Sequence, residues 1–271
     1  MLLSFITGAT CFLAGFLWNR LDLAWWALPL LAVGIWLALV VVALLFLVLL
    51  CAVVDMKKPQ EHDNAFYRKV MGVYVEAAVA LAQVKLHLQG MEKLPKEGRY
   101  LLVCNHQHNV DCGVLLHVFR NSQLAFVGKK ETADMCIINK MMHRTLCQFI
   151  NRENDREALK TILKCIQLIR DDEASICVFP EGGIHTIGKL SHFRNGAFKI
   201  AQRTGVPIVV CTMKNTKDIL HNALRLKATD VDVHLVEVIP AEDLKGCTTV
   251  DIGNRVYELM ISDLGESFRT E

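Results

Sequence analysis

Between positions 1 and 54 the chain carries only two charged side chains, Arg20 and Asp22. Residues 1–18 form one uncharged apolar run and residues 23–54 a longer one. A helix needs about 20 apolar residues to cross a bilayer, so the first run is just long enough and the second has length to spare for tilt. Trp18, Trp25 and Trp26 cluster around the Arg20–Asp22 break, where an interfacial aromatic belt would place them. Lys57 and Lys58 follow the second run directly, and Arg68 and Lys69 come soon after. The positive-inside rule then puts both ends of a helical hairpin, together with residues 55–271, on the cytoplasmic side. A cleaved signal peptide would want a basic start, and Met1-Leu-Leu-Ser-Phe5 has none. A membrane hairpin, spanning or re-entrant, is the expectation.

The apolar excess is local, since residues 55–271 have ordinary globular composition. With a formal net charge of +2, nothing points to nucleic acid as a partner. The ten cysteines are scattered singly, with no C-x-x-C pair. Cys104, Cys177 and Cys211 lie inside apolar runs, as buried thiols in a reducing compartment do, which argues against both a disulfide scaffold and cysteine-bound zinc.

Three segments are expected: N-terminal membrane helices over 1–54, an amphipathic connecting helix over 55–83, and one α/β domain over 84–271. In the connecting segment Phe66, Val70, Val73, Ala77 and Leu81 recur at three- and four-residue steps. Beyond it, apolar strand-like runs alternate with helical ones, which predicts a mixed, largely parallel sheet flanked by helices. Asp155 is placed to cap a helix running to Arg170. Ligands in such sheets sit at the carboxyl ends of strands. Four polar clusters fall there: residues 105–111, 129–131, 151–152 and 180–183.

The first cluster is the most informative. The run 100–104 reads as a buried strand, 105–109 as a polar turn, and 110–119 as a helix. His106 then stands at a strand-to-helix junction, with Asp111 in the first helical turn. A carboxylate there can accept from one imidazole nitrogen, fix the tautomer and leave the other nitrogen free to take a proton. The bland alternative is a histidine bonded to a nearby carbonyl and an aspartate that only caps a helix. No Ser or Cys stands in a G-x-S-x-G elbow beside the pair, so a base here must act on a group arriving with the substrate, such as a hydroxyl. His106-x-His108-x-x-Asp111 is also superficially like the H-x-H-x-D-H signature of binuclear zinc hydrolases. The aspartate is one residue too far, position 110 is Val and position 112 is Cys, so no metal is expected.

In order and spacing, the clusters resemble the membrane-bound glycerolipid acyltransferases, above all their 1-acylglycerol-3-phosphate acyltransferase branch. Asn105-His-Gln-His-Asn-Val-Asp111 matches the family's N-H-x4-D block, and Phe149-Ile-Asn-Arg152 is similar to its second. Phe179-Pro-Glu-Gly182 matches the start of the third, followed by Gly188-Lys-Leu190 and Phe193-Arg-Asn-Gly-Ala-Phe198 at family spacing. Gly205-Val-Pro-Ile-Val209 is similar to the fourth. The likeness covers roughly residues 84–240. The departures are Ile184 where the third block has Arg, Gly183 where it has Thr, Leu146 for the second block's Gly, and Val210 for a Pro.

The resemblance implies a glycerol-phosphate acyltransferase-like fold and makes 84–271 the catalytic domain. It implies transfer of a fatty acyl group from a thioester, acyl-CoA or acyl carrier protein, to the sn-2 hydroxyl of lysophosphatidic acid, with no permanently bound cofactor. His106 would be the general base and Asp111 its orienting acid, as in a Ser-His-Asp triad whose serine is replaced by the substrate's alcohol. The turn at Glu181, Gly182 and Gly183 is expected to supply oxyanion donors. Glu181 is expected either to bond the glycerol hydroxyl or to brace the loop. With Ile184 in the family's Arg position, the acceptor's phosphate falls first to Arg152, then to Lys130, Arg194 and Lys189. That departure leaves open another lysophospholipid or glycerol phosphate as acceptor, or a lipid-binding scaffold.

Overall fold

The computed structural model describes residues 1–129, 137–151, 153–184, 186 and 188–270. Two compact units emerge, Met1–Lys58 and Pro59–Glu271.

In the first unit, α1 (Leu2–Arg20) and α2 (Ala27–Ala52) pack on each other. The buried residues of α1 are Ile6, Thr10 and Ala14, each one turn from the last. The Thr10 hydroxyl donates to the Ile6 carbonyl at 2.8 Å, so no polar group on that stripe is left unpaired. Only Cys51 of α2 is buried, and the helix is otherwise apolar on every side. At 26 residues it is about 39 Å long. Both helices are long and apolar enough to cross a membrane.

The second unit begins with α3 (Ala65–Leu81), capped by the Asn64 side chain, which accepts from Tyr67 N at 3.1 Å. The residues before Asn64 stay out of the helix because Asp63 folds back onto Arg68. Two bonds of 2.7 Å join the guanidinium to that carboxylate, and two more run to the Leu124 and Thr145 carbonyls, at 2.9 and 3.1 Å. With side chains 13% and 6% exposed, this is an internal ion pair that ties the connecting helix to the sheet. Arg68, counted in the sequence among the cations flanking the membrane run, is thus a structural residue. Arg68→Ala leaves Asp63 buried and unpaired, and a loss of about 3 kcal/mol in unfolding free energy is expected from denaturant titration.

The strands are β1 (Val84–Gln89), β2 (Leu101–Cys104), β3 (Leu124–Lys129), β4 (Gln148–Ile150), β5 (Ser175–Val178), β6 (Ile208–Lys214) and β7 (Thr229–Ile239). They form one sheet in the order β1-β7-β6-β2-β5-β3-β4, parallel throughout except for the antiparallel β6–β7 pair. The mixed, largely parallel sheet expected from the sequence is what forms. Central β2 is buried along its whole length, and its alternate residues feed two cores. Leu101 and Val103 face α6 (Asp155–Arg170), α7 (Lys199–Thr204) and α9 (Thr249–Leu264). Leu102 and Cys104 face α4 (Asp111–Val118) and Phe119. Two-sided burial is why the central strands read as continuous apolar runs rather than alternating ones.

Local chemistry sets the element ends. The cap of α6 is Asn154, not Asp155: its side chain accepts from Arg156 N and Glu157 N, both at 3.1 Å, while Asp155 is the first helical residue. After α5 (Ile138–Arg144), Leu146 turns the chain into β4 with φ +65°, and its side chain is buried. That left-handed geometry favours glycine, which explains the family's usual residue at this place. Leu146→Gly would relieve about 1 kcal/mol of backbone strain but open a leucine-sized cavity worth about 3 kcal/mol. Packing wins, and a net loss of about 2 kcal/mol is expected in the same denaturation experiment.

Candidate active site

The sequence places a polar turn at the carboxyl end of β2, and the structure holds it from three sides. The Asn105 amide clasps the Met213 backbone, donating to its carbonyl at 3.0 Å and accepting from its N–H at 2.7 Å. Next to His106, the Gln107 side-chain oxygen accepts from the Thr216 hydroxyl at 3.3 Å. Glu181, buried at the end of β5, accepts from His106 N at 2.7 Å and from Ser191 N at 2.9 Å. A carboxylate bonded in this way braces the loop of the third motif block against the loop of the first.

Within this frame the His106 Nδ1 atom lies 2.8 Å from Asp111 Oδ2. The same oxygen accepts from Gln107 N at 2.6 Å and from His108 N at 2.9 Å. Two backbone donors already point at Oδ2, so it serves as an acceptor and the imidazole supplies the proton at Nδ1. Nε2 is then the basic nitrogen. Asp111 is fully buried as the first residue of α4, and it fixes both the turn and the tautomer.

The Phe179 ring stacks on the imidazole, with centroids 4.1 Å apart and planes within 16°. Sequence reasoning missed this contact, treating Phe179 only as the first letter of a motif. Its one sequence signal is its place immediately after a buried strand. The ring holds the imidazole plane and shields one face from water.

Nearby thiols are not nucleophiles. Burial pushes the Cys104 thiol well above its ordinary range, and burial likewise raises Cys112 and Cys177. No three His, Cys, Asp or Glu side chains among the described residues converge where they would share a metal ion.

Beside Phe179 opens a cavity of about 430 Å³. Its apolar wall includes Val127, Ile150, Leu159 and Ile162, Pro180 and Gly182 also line it, and its rim holds Asp155, Arg194 and Lys199. Such a volume, with a few convergent polar groups, is typical of a small-molecule site. Gly182 has φ +77°, and a Cβ there would come within 2.7 Å of Arg194 Nε, so glycine lets the guanidinium lie across the turn. The Gly182 N–H donates to the Phe179 carbonyl at 3.0 Å and is already used as a donor.

The predicted cations separate. Arg194 stands on the cavity rim, while Lys189 donates to the Arg269 carbonyl at 3.1 Å and is not among the described residues lining the cavity. Lys130 and Arg152 lie outside the described residues. Lys199 on the rim was not singled out in the sequence.

Residues 85–214 match the family model described as Acyltransferase. That match spans a little under half of the chain. The acyltransferase match runs from the second residue of β1 to the last of β6, and so takes in the His106 loop, the Glu181 turn and Arg194. A Mycoplasma pneumoniae protein named "Probable 1-acyl-sn-glycerol-3-phosphate acyltransferase" is 32% identical over 153 residues, covering 55% of this chain and 56% of that protein. The 1-acyl-sn-glycerol-3-phosphate acyltransferase of Borreliella burgdorferi is 25% identical over 171 residues, 63% of this chain and 68% of its own. This chain thus spans little more than half the length of the first relative. Among solved structures, the 1-acyl-sn-glycerophosphate (LPA) acyltransferase PlsC from Thermotoga maritima superposes with a TM-score of 0.62 at 19% identity. The match covers 81% of this chain and 86% of that one, so the fold is shared.

Proposed function

We propose that the protein transfers a fatty acyl group from a thioester donor to the sn-2 hydroxyl of 1-acylglycerol-3-phosphate, giving phosphatidic acid. The observation that carries this reading is a tautomer-locked histidine stacked on Phe179, which also lines an apolar cavity, with no activated nucleophile beside it among the described residues. An alcohol is a poor nucleophile unless its proton is removed as it attacks. His106 Nε2 takes that proton while the oxygen adds to the thioester carbonyl. Asp111 stabilises the imidazolium that forms. The tetrahedral intermediate then collapses, expelling the thiolate of coenzyme A or acyl carrier protein, which His106 reprotonates. The Gly183 N–H of the same turn is assigned to the oxyanion.

The apolar cavity receives an acyl chain, and the Arg194 and Lys199 cations on its rim attract phosphate. Lys130 and Arg152 remain candidates for the acceptor's phosphate on the resemblance alone. Arg194→Ala is expected to raise KM for lysophosphatidic acid roughly tenfold with kcat little changed, because it removes binding common to ground and transition states. Steady-state kinetics over a range of acceptor concentrations measure the split. The helices over residues 1–54 hold the chain in the bilayer, with the catalytic unit on the cytoplasmic side, where thioester donors are made.

The direct test supplies purified protein in detergent with a labelled acyl donor and a panel of lysolipids. Phosphatidic acid from lysophosphatidic acid is the expected main product. Preferential acylation of another lysophospholipid would replace the acceptor assignment, and silence across the panel would favour a lipid-binding scaffold.

A further inference from the structure

Among the described residues of the second unit, the most exposed large apolar side chains stand on the β6–β7 connection. Leu224 is 89% exposed and Leu226 82%, above even Trp25 of the first unit at 80%. The connection is a built structure. Ile219 is buried and anchors the short helix α8 (Ile219–Leu224), from which Leu220 and Leu224 project one turn apart. Asn222 closes the tip: its carbonyl accepts from Arg225 N and Lys227 N, both at 2.9 Å, and its side chain donates to Thr229 at 3.1 Å. Leu226 is held there with φ +54°. A leucine in the left-handed region is strained, and here no packing compensates for it.

The connection itself is basic. Lys217, Arg225 and Lys227 form no ion pair among the described residues, Asp218 is the one acid between positions 215 and 229, and the adjoining Asp230 is paired with His87 at 2.8 Å. The connection also adjoins the site. It leaves β6 just after Met213, which Asn105 clasps, and Thr216 bonds Gln107 beside His106.

We propose that residues 217–227 dock on an anionic lipid surface, with Leu224 and Leu226 entering the apolar layer and Lys217, Arg225 and Lys227 meeting the headgroups. Apolar side chains among unpaired cations at a rigid tip fit such a surface in both respects: buried area and charge each favour it. Taken with the proposed function, on which this last step rests, the docking would hold the His106 loop where a membrane-borne acceptor arrives.

The test uses the full chain in lipid nanodiscs whose acyl chains are brominated just below the headgroups. Leu224→Trp adds one indole, and the parent protein corrects for the four native tryptophans. The added emission should fall at least ~2-fold on going from phosphatidylcholine alone to discs that also contain phosphatidylglycerol. High salt, or Arg225→Glu with Lys227→Glu in the same background, should erase the difference. Equal emission in the two lipid compositions would overturn the proposal. So would a blue shift in lipid-free detergent that grows with protein concentration, which would identify a second copy of the chain as the occupant. The readout does not depend on activity: a chain that docks but acylates nothing would remove the proposed function and leave the docking in place.

Discussion

Alanine in place of His106 should lower acyl transfer by at least ~100-fold, the usual contribution of a positioned general base. The imidazole is only 14% exposed and carries none of the loop's backbone bonds itself; those are made by Asn105, Glu181 and Asp111. The loop should therefore survive the truncation, and the melting temperature should move little. Initial rates with labelled donor, paired with a thermal melt of the same preparation, separate lost chemistry from lost fold. A variant that kept a third of the parent rate would remove His106 from the proton transfer.

Asp111→Asn should cost roughly 100-fold or more for a different reason. All three donors converge on Oδ2, whereas Oδ1 is buried and accepts no hydrogen bond among the described residues. An asparagine can set its oxygen in the Oδ2 place and keep the turn and the tautomer. Its amide then occupies the Oδ1 position, buried without a partner, at about 1–3 kcal/mol of stability. What it cannot keep is the negative charge facing the imidazolium as the alcohol's proton is taken. If the substitution left the rate nearly intact while destabilising the fold, Asp111 would be a loop brace and no more. The bland reading of an aspartate at a helix start would then hold.

These two residues show how far the sequence reaches. His106 and Asp111 are five positions apart on a strand–turn–helix, a distance over which local geometry follows from chain pattern. Their meeting could be expected before any coordinates. Glu181 is different. Its alternatives, brace or substrate ligand, were open because the outcome depends on His106 N and Ser191 N, and His106 is 75 positions away. Phe179 and Arg68 belong with it. Nothing in the neighbourhood of either residue says that one will cover the imidazole or that the other will reach the Leu124 and Thr145 carbonyls. The cations expected to share the phosphate also part company in space, with Arg194 on the cavity and Lys189 bonded to the Arg269 carbonyl.

By itself, the sequence determined two apolar runs of membrane length, the alternation of strand and helix, and the placement of polar clusters at strand ends. All of these are periodic or local properties, carried by side chains within a turn or two of one another. Only the tertiary structure decided the strand order, the reversal of β7 against β6, the stacking on His106 and the outward turn of Leu224 and Leu226. Each of those depends on which distant segments share a face, and a chain's local pattern records that a face is apolar without naming what will cover it.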